Sequence, residues 1–317
     1  MNSTIKPSDT PIEWKSDALF LKAERYIQRM SQHTSDEWEY ALWSSLSLEL
    51  LARAALANVS PALLADNTGD WSHLYYSLGF APNKEKFAPR SIPVNDVFAR
   101  LSSIMPEFTT ELENFCKRRI GMRNAELHSG LLAFDNVKSS MWQPEYYRVC
   151  TVLLASMGKT LEDFLGAEEA AIAEKIIEAA ADKNAKAVQG DIKAHKAVWF
   201  AKQEEERSTL SKQAKIWATR YAGHRVDCPA CGSRALVHGE PVSAPSKKLE
   251  NDEITETQEH LPSQFECVAC GLKISGLSQL TVAGLGDRYK KTQVYDAAEY
   301  YAPSDEHEGY EEDNNEW

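Results

Sequence analysis

Positive charge is in short supply in this chain: 35 Lys and Arg stand against 47 Asp and Glu, a formal net charge of −12 over 317 residues. That balance excludes a whole-surface attraction to nucleic acid, because polyanionic backbones bind through concentrated positive potential. Any such contact has to use a local basic patch. Long apolar runs are missing too, and none nears the ~20 residues that span a bilayer. The opening stretch, Met1 to Pro7, lacks the apolar segment and small-residue cleavage site of a secretory signal, so a cytoplasmic location is expected. Cysteines number only six, four of them in two Cys-x-x-Cys pairs. In a cytoplasmic chain such pairs read as metal ligands, not disulfides. Cys116 and Cys150 remain, each among apolar neighbours on an expected helix, and read as small core residues.

What is present is the composition of a folded protein, 43% hydrophobic and 26% charged. The pattern is mainly α, with a small β region near the C-terminus. Residues 1–166 read as a helical bundle, 167–222 as a connector of long helices, 223–302 as a ribbon domain and 303–317 as a disordered tail. The last fourteen residues, Ser304 to Trp317, hold seven acids and no Lys or Arg.

Within the bundle, Pro11 opens a first helix and Thr34-Ser35-Asp36-Glu37 has the form of a capping box for a second. Apolar Ala41, Leu48, Leu51, Ala52 and Ala55 then recur at helical spacing. On that helix Glu49 and Arg53 stand one turn apart, either as an exposed ion pair or as electrostatic support for a neighbouring site. A short helix is expected at 71–78 and another at 94–105. Pro106 should start the next, in which Gly121 is either a weak spot or a place where another helix comes close. Pro144 opens one more, running through Phe164. In the connector, Gly190 marks a turn or bend between long helices that brace the two domains or pair with a second chain.

Cys228-Pro-Ala-Cys231-Gly and Cys267-Val-Ala-Cys270-Gly are two knuckle sequences, each Cys-x-x-Cys turn ending at a small residue so that backbone N–H groups face the thiolates. Four thiolates at this spacing match tetrahedral Zn²⁺, and β-prone segments at 235–238 and 272–275 complete a zinc ribbon with a structural ion. His224, His238 and His260 lie nearby as bystanders. The polar run Lys247 to Glu253 between the pairs reads as a mobile loop. Nothing between the cysteines interleaves basic and aromatic residues as a nucleic-acid platform does, which leaves a structural role or a protein partner for the ribbon. No helix-turn-helix with a basic recognition face is visible.

The densest basic cluster of the N-terminal half is Lys117, Arg118, Arg119 and Arg123, followed by Asn124 and His128 at a helix end. A guanidinium holds phosphate oxygens in a fork, and an imidazole moves protons near neutral pH. Arg123, Asn124 and His128, with the helix Ser47 to Leu56 before them, resemble the HEPN family of all-helical domains over about the first half of the chain. The resemblance implies a metal-independent RNA endonuclease that works as a dimer, and a toxin or anti-phage effector as its setting. Arg123 would clamp the scissile phosphate, His128 would be general acid or base, and Asn124 would orient one of them. Lys117, Arg118 and Arg119 would then contact RNA, with Glu49 and Arg53 behind the site.

Residues five apart on an α-helix lie about 140° around its axis, so Arg123 and His128 do not share a face. A two-fold dimer along this helix would gather both copies into one cleft. The competing reading is a non-catalytic nucleotide-binding or adaptor module, with Arg123 ion-paired and His128 a helix-terminal histidine favoured by the macrodipole.

Overall fold

The computed structural model describes residues 9–84 and 86–301, so the expected acidic tail lies outside the described residues. The first half is helical: α1 (Ser16–Met30), α2 (Trp38–Val59), α3 (Ser72–Ser77), α4 (Val94–Ile104), α5 (Thr110–His128), α6 (Gln143–Ala155) and α7 (Leu161–Leu165). At the centre is α2, which is apolar or small nearly all round. Of its 22 residues 13 are buried, as a helix hydrophobic on every face requires. Its Ala52, Ala54 and Ala55 let neighbours approach, and its buried serines satisfy themselves on carbonyls, Ser44 and Ser45 on Ala41 at 2.8 Å and Ser47 on Ala23 of α1 at 3.0 Å. Leu48, Leu51 and Leu56 meet Phe98 and Leu101 of α4, Phe115 and Ile120 of α5, and Val149 and Leu153 of α6 in one core. Each such side chain contributes about 1.5–3 kcal/mol on burial.

Several boundaries differ from the sequence reading. Glu37 accepts the Thr34 N–H at 2.7 Å, half of a capping box, yet α2 starts only at Trp38 with Glu37 as its N-cap. Pro106 to Phe108 form a turn, and α5 begins at Thr110. The single helix expected through Phe164 is two. Gly158 at φ 69 ends the first, and a complete Thr160–Asp163 capping box starts α7. Gly121 faces open space, and among the described residues no helix approaches it.

The stretch 167–222 forms α8 (Ala167–Ala181), α9 (Val188–Ala201) and α10 (Glu204–Arg220). It divides between two cores. Ala170, Ile172, Ala173 and Ile176 of α8 join the bundle core, whereas Val188, Trp199 and Ala214 pack with the cysteines of the ribbon. Gly190 sits inside α9, and the chain turns instead around residues 182–187.

The remaining elements are β1 (His224–Asp227), β2 (Arg234–Pro241), β3 (Ser246–Glu250), β4 (Glu253–Glu266), β5 (Lys273–Ser275), α11 (Leu277–Val282), β6 (Tyr289–Asp296) and the short α12 (Ala297–Tyr300). All strands pair antiparallel in one curled sheet organised on the 14-residue β4. One edge of β4 carries β2 and then β3, and the other β5 and then β6. The run expected as a mobile loop is therefore β3 and its turn. Asn251 (φ 50) and Asp252 (φ 63) both take positive φ between paired Glu250 and Glu253, the signature of a two-residue type I′ hairpin.

Sheet and bundle are fastened by buried polar contacts. Arg288, which precedes β6, donates to both Glu169 oxygens at 2.7 and 2.9 Å and to the Tyr40 hydroxyl at 2.8 Å. Gln143 also donates to Tyr40, at 3.1 Å, and the Tyr147 hydroxyl donates to Glu169. Beside it, Asp287 accepts from Ser139 Oγ at 3.0 Å and from the Ser140 N–H at 2.8 Å. Leu261 of β4 lies in the bundle core.

Candidate functional sites

The C-terminal half of α5 places Arg123 against α2. Its guanidinium is ion-paired with Glu49, whose other oxygen accepts from Arg53 Nε at 3.0 Å and Nη2 at 2.9 Å. Arg53 is in turn fixed by Ser91 Oγ at 3.1 Å and the Ile92 carbonyl at 3.2 Å. The side chains of Arg123 and Arg53 are only 14% and 13% exposed, and that of Glu49 is 20% exposed. They are not a solvated surface pair but a half-buried support that holds Arg123. One carboxylate faces two guanidiniums, so the cluster keeps a net positive charge.

Asn124 and His128 are exposed and, four residues apart on α5, share a face of the helix end. The chain leaving α5 is tied back onto it. Glu126 accepts the Ala133 N–H at 2.6 Å, while Ser129 Oγ donates to Ala125 O at 2.6 Å and accepts from the Leu131 N–H at 3.2 Å. Leu127, Leu131 and Leu132 are exposed around this end.

The neighbouring basic residues separate. Arg118 is exposed, about 15 Å along the helix from His128. Lys117 pairs with Glu113 at 2.6 Å. Arg119, expected to contact RNA, is buried at 3% exposure. It donates to Ala41 O at 3.0 Å and Ser44 Oγ at 3.2 Å, and its guanidinium lies 4.0 Å from the centre of the Trp142 ring. Burial lowers its pKa to about 10. Three consecutive cations on a helix of this burial must put at least one inward, and Arg119 is that one.

The second site is the four-cysteine centre. All four Sγ atoms lie within 4.8 Å of one another, with 3.6 Å between Cys228 and Cys270 and between Cys231 and Cys267. A tetrahedral ion with bonds of ~2.3 Å separates its sulfurs by ~3.8 Å, while a disulfide brings them to ~2.05 Å. The spacing suits a metal. Gly232 (φ 71) and Gly271 (φ 76) close the two knuckles, their N–H groups donating to Cys228 O and Cys267 O at 2.9 Å each.

No family model, curated protein or solved structure matches the chain. Its sites therefore stand on their own geometry. Sequence reasoning missed the helices that grip the knuckles: His195 Nδ1 of α9 donates to Cys270 O at 2.8 Å, and Ser211 of α10 hydrogen-bonds Ser233 at 2.7 Å. Neither residue stands near a cysteine in sequence, so no spacing could have flagged it. His224, His238 and His260 lie outside the sulfur cluster. Cys116 and Cys150 are fully buried in the bundle, where burial pushes the Cys150 thiol up to about 12 and Cys116 up as well. Among the described residues no helix is long and apolar enough to cross a membrane.

Proposed function

We propose that the protein is a metal-independent RNA endonuclease of the HEPN type, acting in the cytoplasm as a homodimer, with zinc held by Cys228, Cys231, Cys267 and Cys270 as a structural ion. The observation that supports this most is the Glu49–Arg53–Arg123 cluster, five residues along α5 from an exposed His128. A guanidinium fixed by a carboxylate that a second guanidinium already shares is oriented without being fully neutralised. That is what a phosphate clamp needs. In this reading Arg123 stabilises the charge that grows on the phosphorus oxygens, His128 moves the proton at the 2′-hydroxyl or the leaving oxygen, and Asn124 orients one of them. Zinc takes no part in the chemistry. The exposed Leu127, Leu131 and Leu132 surround the helix end and supply the apolar surface for a second copy.

Labelled RNA incubated with the full chain in EDTA, for a time over which metal analysis shows the protein's zinc retained, should be cut to fragments ending in 2′,3′-cyclic phosphate. Arg123→Ala and His128→Ala should each lose at least the 10²- to 10⁴-fold typical of acid–base catalysis. Arg123→Lys should also fall strongly, because it keeps the charge but not the fork. Full activity in His128→Ala would discard the assignment. The ion pair of Arg123 favours one second reading, a nucleotide-binding or adaptor module in which Arg123 only joins α5 to α2. In that case its variants lose stability and no cleavage is seen with any of them.

A further inference from the structure

The curled sheet assembles what no segment of the sequence contains. Between β1–β2 and β4–β6 runs a groove of about 520 Å³ lined by Arg225, Lys290 and Lys291 together with His224, His238 and His260. A second concavity of about 400 Å³ adjoins it at Arg225 and adds Lys215 and Arg234. Among the described residues no carboxylate lines either one, in a chain whose net charge is −12. Glu259, opposite Lys290 in the β4–β6 register, lies 3.6 Å from Arg288 and lines an adjoining cavity, which shares His224, Tyr289 and Lys290 with the groove and holds the nearby carboxylates Asp36, Glu37, Asp227 and Asp287. Arg234 meets Asp227 at 3.0 Å, at an exposed pair worth little. Lys290 and Lys291 form no ion pair among the described residues.

Flat rings sit in the same place. Tyr289 is sandwiched, its centroid 4.4 Å from that of His224 and 5.5 Å from that of His260, both nearly parallel to it. Gly239 makes room for it, since a Cβ there would come within 3.0 Å of the Tyr289 hydroxyl. His224 is exposed at the outer end of this stack. His260 is 92% buried. Its Nδ1 donates to Gly239 O at 3.1 Å, and its Nε2 has no partner.

We propose that this track holds the phosphate backbone of single-stranded RNA, with a base stacked on His224. Cations spaced along a groove follow a chain of phosphates, and exposed aromatic faces bind bases whatever their identity. An acidic peptide would use the cations but leave the rings idle. The proposal deepens the RNA reading above and rests on it for the identity of the polymer.

The test is fluorescence anisotropy of the full chain with a single-stranded 2′-O-methyl oligoribonucleotide, which lacks the free 2′-hydroxyl that the proposed cleavage attacks. Binding is therefore read separately from catalysis. The wild type should bind, and the paired change Lys290→Gln with Lys291→Gln should weaken binding by about tenfold or more and reduce the salt slope by about 1.4. His224→Ala should cost about fivefold or more through lost stacking. Far-ultraviolet circular dichroism and zinc content check that each variant is folded. No binding by the wild type, or unchanged affinity in the lysine pair, overturns the track even if RNA is cleaved. Inorganic phosphate or polyglutamate binding as tightly as the oligomer also overturns it. Binding without cleavage of ordinary RNA keeps the track and removes the nuclease.

Discussion

Arg119 and Arg123 lie four residues apart on one helix and serve opposite ends. Arg123 meets the Glu49 carboxylate, whereas Arg119 has no carboxylate partner among the described residues and is held by a carbonyl, a hydroxyl and the Trp142 face. Truncating Arg119 to Ala should cost about 2–4 kcal/mol, because it empties a core position and takes the N–H donor from Ser44 Oγ, while Ala41 O keeps the Ser44 and Ser45 hydroxyls. Arg119→Met, which keeps the volume and removes a buried cation, should cost much less. Urea unfolding of the two variants measures the difference, and RNA affinity should be unchanged in both. Sequence alone could not separate these arginines. Lys117, Arg118 and Arg119 are chemically alike, and only the direction each faces on α5 decides which meets water.

At the scale of elements, the four-cysteine centre was legible and its surroundings were not. Each knuckle fixes its own pair of thiols by local geometry, since the left-handed glycine and the two cysteines lie within one turn, and the pairing of β2 with β4 then brings the four Sγ atoms within 4.8 Å of one another. The grip of α9 and α10 depends on contacts some 20 to 75 residues apart in sequence. It also changes what loss of the metal does. Cys267→Ser should abolish zinc binding and unfold the ribbon, and because Trp199 and Ala214 share its core, α9 and α10 should loosen with it while α1 to α8 stay protected. Hydrogen exchange of zinc-loaded wild type against the variant reads this element by element. Protection retained in α10 would mean that the helices stand without the ribbon. The β3–β4 turn was missed for a plainer reason. Lys247 to Glu253 is polar enough to pass for a loop, and its two positive-φ residues are Asn and Asp, without the glycine that usually announces a type I′ turn.

The whole molecule turns on Arg288. Its 5%-exposed side chain ties the sheet to Glu169 of the bundle, and removing one partner of such a buried pair costs about 3–5 kcal/mol because the other charge stays behind. Arg288→Met should show that loss in denaturant unfolding. Alkali probes the same network. Burial raises the Tyr40 pKa from 10.0 to about 12, so its contribution to stability is complete below pH 10 and fades as the pH climbs through 12. Tyr40→Phe should lack that loss, as unfolding free energies between pH 9 and about 12 would reveal. Quaternary structure belongs to this scale as well. Light scattering should give twice the 35.5 kDa chain mass, and Leu131→Glu with Leu132→Glu should halve it and remove cleavage. A wild-type monomer that still cuts RNA would discard the composite site.

The chain by itself determined its helices, its mainly α class and its two cysteine knuckles, because periodicity, capping and knuckle spacing act over a few residues. Tertiary structure decided the rest. It buried Arg119, paired Arg123 with Glu49, split the stretch 167–222 between two cores, and drew cations and histidines from β1, β2, β4 and β6 into one acid-free groove. Those outcomes depend on which faces meet across tens of residues, and burial and charge are properties of the folded surface that no local pattern encodes.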